Sequence, residues 1–220
     1  MISAQSFNFI LTLAIPMLFA ITIHEYAHGL VADKLGDKTA RMLGRLSLNP
    51  INHIDPFGTI LLPLAIALSS GGSMFFGYAK PVPISIHNFK NLKRDIILVT
   101  LAGPMSNFIM GFLWLLSNSL CKHYVSDPAL YHTLSSISTM GVKINIVLGV
   151  LNILPIPPLD GSKVLSILMP RTLQGYIFKY EQYGIFLIAL LAFSGMLGQI
   201  IRPLFMHVLN FYFYITNLWG

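Results

Sequence analysis

Of the 220 residues, 55% are hydrophobic and only 10% are charged. Soluble domains carry about 25% charged residues, so this composition excludes a soluble enzyme, a disordered chain and a nucleic-acid binder. The formal net charge of +6 fits loops facing anionic lipid, and the single cysteine, Cys121, excludes an internal disulfide or a multi-cysteine zinc knuckle.

In chain order, stretches free of Asp, Glu, Lys and Arg run over 1–24, 56–79, 96–121, 144–159, 182–201 and 203–220. The N-terminus has no Lys or Arg before residue 8, which argues against a cleaved signal peptide. A helix needs about 20 apolar residues to cross the hydrocarbon. The stretch 56–79 is interrupted by Pro63 and the Ser69–Ser73 tract, which suits a re-entrant segment. Charge arbitrates. If 56–79 crosses, Lys and Arg divide evenly between the two sides. If it returns, eleven of the fourteen fall on one side, as the positive-inside rule requires. That puts the N-terminus outside and 33–94 and 163–179 in the cytoplasm. Between the first and central spans, 37–49 reads as a short strand pair and 78–87, with Pro81 and Pro83, as extended chain. The expected fold is an all-α polytopic membrane protein of about five to six transmembrane helices with short β segments between the first and central helices. It is a single unit, 1–220, with a core over about 15–165 and two added C-terminal helices in 182–220.

The most informative residues are His24-Glu25-Tyr26-Ala27-His28, following 23 residues without one ionisable side chain. Histidines at i and i+4 share a helix face and can hold zinc together, and the glutamate between them can work on a metal-bound water. The bland alternative is a motif solvated at a helix end. Each charge at mid-membrane costs about 2.5–3.5 kcal/mol on insertion scales, which favours a function. A catalytic zinc needs a third protein ligand. Of the eight acidic residues, only Glu25 and Asp160 lie within or beside an apolar stretch. Asp160 closes the run Asn152-Ile-Leu-Pro-Ile-Pro-Pro-Leu-Asp160-Gly161, whose prolines break the helix and admit water; an interfacial Asp-Gly turn is the alternative. In the five-span arrangement both motifs sit at the inner ends of spans running the same way, so Asp160 reaches the metal of His24 and His28. The six-span arrangement puts it about 24 Å away. His53 and His87 fall in cytoplasmic segments near this site, where either could touch substrate.

The chain resembles the site-2 protease family of intramembrane zinc metalloproteases, in a minimal form without a PDZ insertion. Carrying the resemblance are His24-Glu25-x-x-His28, Gly103-Pro104-x-x-Asn107, and Asn152-x-x-Pro155-x-x-Pro158-x-Asp160-Gly161. It implies one Zn2+ per chain bound by His24, His28 and Asp160, with Glu25 as general base. Asn152 would be the catalytic amide at the oxyanion, and Asn107 would line the substrate site. The implied substrate is a transmembrane segment of another protein, cut near the cytoplasmic face of the cell (inner) membrane, with the lipid bilayer as surroundings and no nucleic acid as partner. Strand addition by 37–49 and 78–87 would unwind a helical substrate. Two other classes compete. A non-catalytic binding protein on the same fold would lose Glu25 or a ligand, and all are present. A zinc transporter needs ligands at successive depths, and these lie at one level.

Overall fold

The computed structural model describes residues 4–61 and 80–217. The described residues form the helices α1 (Ala4–Lys34), α2 (Thr39–Met42), α3 (Leu92–Tyr124), α4 (Pro128–Ile153), α5 (Asp160–Leu168), α6 (Arg171–Phe193) and α7 (Met196–Asn217), with short helical turns at Pro50–His53, Pro56–Leu61 and Ile86–Asn88.

Local chemistry sets the helix starts. At α3 the Asn91 side chain accepts the N–H of Arg94, while Asp95 reaches back to the N–H of Asn91 at 2.9 Å. At α4 the Asp127 carboxylate accepts the N–H of Leu130 at 2.7 Å, with Pro128 in the first helical position. Only residues 125–127 separate the two helices, so they pack as an antiparallel hairpin. Small residues let them approach closely: Trp114 fills the notch at Gly141, and Phe108 the notch at Gly149 eight residues on. α1 packs on both, and these three helices form the core of the fold. α7 packs on the C-terminal half of α4, where Tyr212 joins Val142, Ile146 and Val150 and donates its hydroxyl to the Phe108 carbonyl at 2.5 Å.

Leu98, Met105, Ile109, Leu113, Leu116 and Leu120 form an exposed stripe at helical spacing on α3, an outward apolar face suited to lipid. Among the described residues, α3 and α4 are each long and apolar enough to cross a membrane. Tyr183–Phe193 and Met196–Thr216, bent by 83°, pass the same test as a pair. The expected five or six spans are thus not supported: the described residues give two, or three with the bent pair. α1 is 31 residues long and carries no ionisable side chain before His24. The span expected over 144–159 begins at Pro128, because Asp127-Pro128 starts the helix sixteen residues early. The break expected at Arg202 falls at Ser194–Gly195, where Gly195 takes a positive φ of 75°. Of the stretch 56–79, residues 62–79 lie outside the described residues.

No strand forms among the described residues. The expected strand pair over 37–49 is the short α2 followed by turns, with Gly44 at φ 66°. Within 78–87, residues 80–85 form no regular secondary structure, Ser85 has β-region angles, and a helical turn follows at Ile86–Asn88. This strap is held by the Lys80 N–H, donated to the His53 carbonyl at 3.0 Å, and by side chains. Arg45 Nη2 donates to the carbonyls of Lys80 and Pro81 at 3.1 and 3.2 Å. The fully buried Asp37 accepts the N–H of Ser85 and the Asn88 amide, both at 2.8 Å, and the Thr39 hydroxyl at 2.5 Å. Burial pushes the Asp37 carboxyl upward, but the donors from Thr39, Asn88 and Ser85 outweigh it and hold it below its ordinary value.

The anchor therefore contributes fully above the unfolded carboxylate pKa of about 3.9 and is lost as pH falls through the lower folded value. Asp37→Ala is expected to cost about 2–3 kcal/mol, as loss of charge-assisted hydrogen bonds does, and to release residues 80–88. Hydrogen exchange over that segment, followed from pH 7 down to 3, checks this. Equal protection in the variant and the wild type would contradict it.

Candidate metal centre

α1 carries His24 and His28 one turn apart, and both side chains are buried with their rings edge to face at 84°. Each ring is oriented from behind. His24 Nδ1 donates to Asn107 Oδ1 at 2.6 Å, and His28 Nδ1 donates to the Val99 carbonyl at 2.7 Å. A carbonyl oxygen can only accept, so each Nδ1 bears the proton and each Nε2 presents a lone pair.

Those lone pairs converge with a carboxylate. The proline-rich turn after α4 delivers Asp160 as the first residue of α5, where Oδ2 lies 3.1 Å from His28 Nε2 and 3.3 Å from His24 Nε2. The two Nε2 atoms are 3.0 Å apart. Three acceptors this close, with no proton between them, repel one another unless a cation joins them. Ligands about 2.0–2.1 Å from a tetrahedral zinc stand roughly 3.3 Å apart, so the donor set fits one Zn2+. Among the described residues, His24, His28 and Asp160 are the one group of His, Cys, Asp and Glu arranged to hold a metal.

Around this point lies a cavity of about 760 Å3, lined among others by Glu25, Val82, Asn152, Lys163, Ile185 and Ile188. Glu25 Oε2 accepts the N–H of Val82 at 2.8 Å, which ties the carboxylate to the strap. Asn152 gives one amide hydrogen to the Leu148 carbonyl of its own helix at 3.0 Å. Asn107, expected to line the substrate site, is instead fully buried behind His24. A methyl at Gly103 would overlap His28, so the backbone of α3 forms the wall directly against the ligands. His53 is also turned from the expected role: it is buried and donates Nε2–H to the Ser47 carbonyl at 2.7 Å, bracing a loop. His87 is exposed on the turn after the strap.

Several contributors escaped the sequence reading. Lys163 Nζ lies 3.1 Å from Asp160 Oδ1 and balances the oxygen turned away from the histidines. Its spacing, one turn past Asp160, is the signal that could have found it. Asn145 lies behind Asn107, bonding to it at 3.1 Å. Being uncharged, it passed an audit confined to ionisable residues. α6 adds Ile185 and Ile188 to the cavity wall, and sequence alone gave no hint of that.

The chain is 38% identical over 189 residues to the Bacillus subtilis (strain 168) protein named "Putative zinc metalloprotease YwhC", covering 85% of this chain and 82% of that one. It is 31% identical over 191 residues to "Putative zinc metalloprotease Rip2" of Mycolicibacterium smegmatis, covering 87% and 70%. No solved structure gives a significant match. The signature of peptidase family M50 matches residues 118–196. With His24, His28 and Asp160 converging on one point, and with a relative this similar over most of both chains, the chain belongs to peptidase family M50, the site-2 protease family.

Proposed function

We propose that this chain is a zinc-dependent endopeptidase that cuts transmembrane segments of other membrane proteins near the cytoplasmic face of the cell membrane. The observation that carries the reading is the convergence of two bare Nε2 atoms and a carboxylate oxygen within 3.0–3.3 Å, opening on a cavity that Glu25 also lines. His24, His28 and Asp160 hold the metal. A zinc ion held there polarises the scissile carbonyl and acidifies water.

Glu25 does the proton work. Its Oε2 is occupied by the Val82 N–H, and Oε1 takes the proton from the attacking water and returns it to the leaving amine. Asn152 spends one amide hydrogen on Leu148 and offers the other to the developing oxyanion, which suits a site where Lys or Arg would be costly. The apolar walls, Ile185 and Ile188 among them, exclude bulk water and accept an apolar peptide. Lys and Arg concentrated in 33–55 and 80–94 support a cytoplasmic location for the end of α1 that carries the motif.

The test is cleavage of a panel of single-span substrates by wild type and Glu25→Gln in the same membranes. Glutamine keeps the shape and the ligands but cannot shuttle a proton. The expected result is a loss of at least about 1,000-fold, on the scale of general acid–base contributions of about 10²–10⁴, with zinc content unchanged. Equal cleavage by both would sink the mechanism.

A further inference from the structure

We infer that Asn145 is a positioning residue for the metal site, acting through Asn107 to hold His24 in the one tautomer that can ligate. The inference rests on the metalloprotease reading above. It starts from a difference between the two histidines. His28 is set by the Val99 backbone carbonyl, a group that can only accept. His24 is set by the Asn107 side-chain amide, which has an accepting end and a donating end of nearly the same shape. If the amide turned over, its Nδ2 would face His24 Nδ1, that nitrogen would become the acceptor, and the proton would move to Nε2, where it blocks a metal.

What stops the turn is the surroundings of Asn107, which is 0% exposed. Its Nδ2 donates to the Ala20 carbonyl at 3.2 Å and to Asn145 Oδ1 at 3.1 Å. Asn145 is itself an amide, 0% exposed, and faces the same ambiguity. A backbone carbonyl resolves it: Asn145 Nδ2 donates to Gly141 at 2.9 Å, so Oδ1 points at Asn107. The sense of every bond is thus fixed from the Gly141 carbonyl through Asn145, both on α4, and through Asn107 on α3, to Nδ1 of His24 on α1. Reversing Asn107 would leave its oxygen against two acceptors, the Ala20 carbonyl and Asn145 Oδ1, with no hydrogen between them. Of these two, only Asn145 is a side chain that substitution can remove.

Asn145 also packs against α3, since a methyl on Gly111 would lie 3.4 Å from its Cβ, so the test must separate packing from positioning. The full chain in detergent is titrated with Zn2+ against a chromogenic chelator. Asn145→Leu and the smaller Asn145→Ser are expected to weaken Zn2+ by about tenfold or more, the lower end of what partners behind metal ligands contribute. Asn145→Asp, as the neutral acid whose hydroxyl donates to the Gly141 carbonyl, keeps an oxygen toward Asn107 and is expected to stay within about threefold of wild type. In an Asn107→Ala background, Asn145→Leu is expected to cost nothing further, because its route to His24 is already cut.

Nitrogen NMR of histidine-labelled, metal-free protein supplies a second readout. Asn145→Leu is expected to populate the Nε2–H form of His24 and leave His28 unchanged. A purely packing role would lower thermal stability without moving either readout. Wild-type affinity in a folded Asn145→Leu or Asn145→Ser chain, additive losses with Asn107→Ala, or equal shifts in both histidines would each overturn the inference while leaving the zinc site standing. Failure of the wild type to bind Zn2+ would overturn the metalloprotease reading and this inference with it.

Discussion

Gly103→Ala is expected to abolish metal binding and cleavage while leaving the helices folded. The Cβ of an alanine there would overlap His28 Nε2 and stand 2.6 Å from His28 Cε1 and 2.7 Å from His24 Cε1. Neither ring can step back, since each is fixed through Nδ1 to α3, at Val99 and at Asn107. Gly103 and the adjoining Pro104 are buried on the same helix, so the backbone cannot yield without moving the wall of the site. Overpacking of this kind costs about 1–3 kcal/mol of stability, which a three-helix core survives. A ligand triangle with edges of 3.0–3.3 Å does not survive a displaced ring. Zinc per chain should fall close to zero with helix content retained, and Met105→Ala, on the exposed apolar stripe of the same helix, should match wild type in both. Full zinc occupancy in Gly103→Ala would mean that the α1–α3 contact is looser than described.

The site was more legible in the sequence than the fold, for physical reasons. His24, Glu25, His28 and Asp160 stand out because ionisable groups are scarce in apolar chain, and scarcity is visible without coordinates. Asn107 was visible as a motif position, yet its bond to His24 was not: the direction of a side chain depends on which helix lies behind it, and spacing along one helix does not say. Asn145 carried no charge and lay in a stretch judged by hydropathy alone, so a buried amide there drew no notice.

The helix boundaries failed for a different reason. Asp127-Pro128 is a helix start with a mechanism, a side-chain acceptor followed by a residue that needs no donor. Charge counting treated 122–143 as loop because Lys143 interrupts the apolar run. The strap at 80–85 reads as β-like, yet it forms no strand. Its N–H and C=O groups are taken by Glu25, Asp37 and Arg45 rather than by a neighbouring strand. Such long-range side-chain partners cannot be read from local alternation.

Asp160→Asn is the sharper probe of the metal itself, because it changes charge with almost no change in shape. Asp160 is placed with little freedom. Gly161 leaves no room for a methyl against the carbonyls of Ile153 and Leu154, and Gly184 of α6 lies directly against the Pro157 carbonyl. The turn between is closed by Leu159 N–H to the Ile156 carbonyl at 2.9 Å. An asparagine would therefore stand where the aspartate stands and keep one oxygen toward His24 and His28. Two things change. The ligand set loses its only negative charge, and Lys163, paired with Asp160 Oδ1 at 3.1 Å, becomes an uncompensated cation beside the metal position. Both act against a divalent cation. Zinc affinity is expected to fall by at least about 100-fold, the upper end of what even partners behind the ligands contribute, and cleavage is expected to disappear with it. Lys163→Met isolates the second change: it removes the cation, leaves the three ligands in place, and should bind zinc at least as tightly as wild type. Chelator competition on the three proteins separates the cases. Wild-type affinity in Asp160→Asn would transfer the third ligand position to another group, with Glu25 the other carboxylate lining the cavity, and the base would then have to be sought elsewhere.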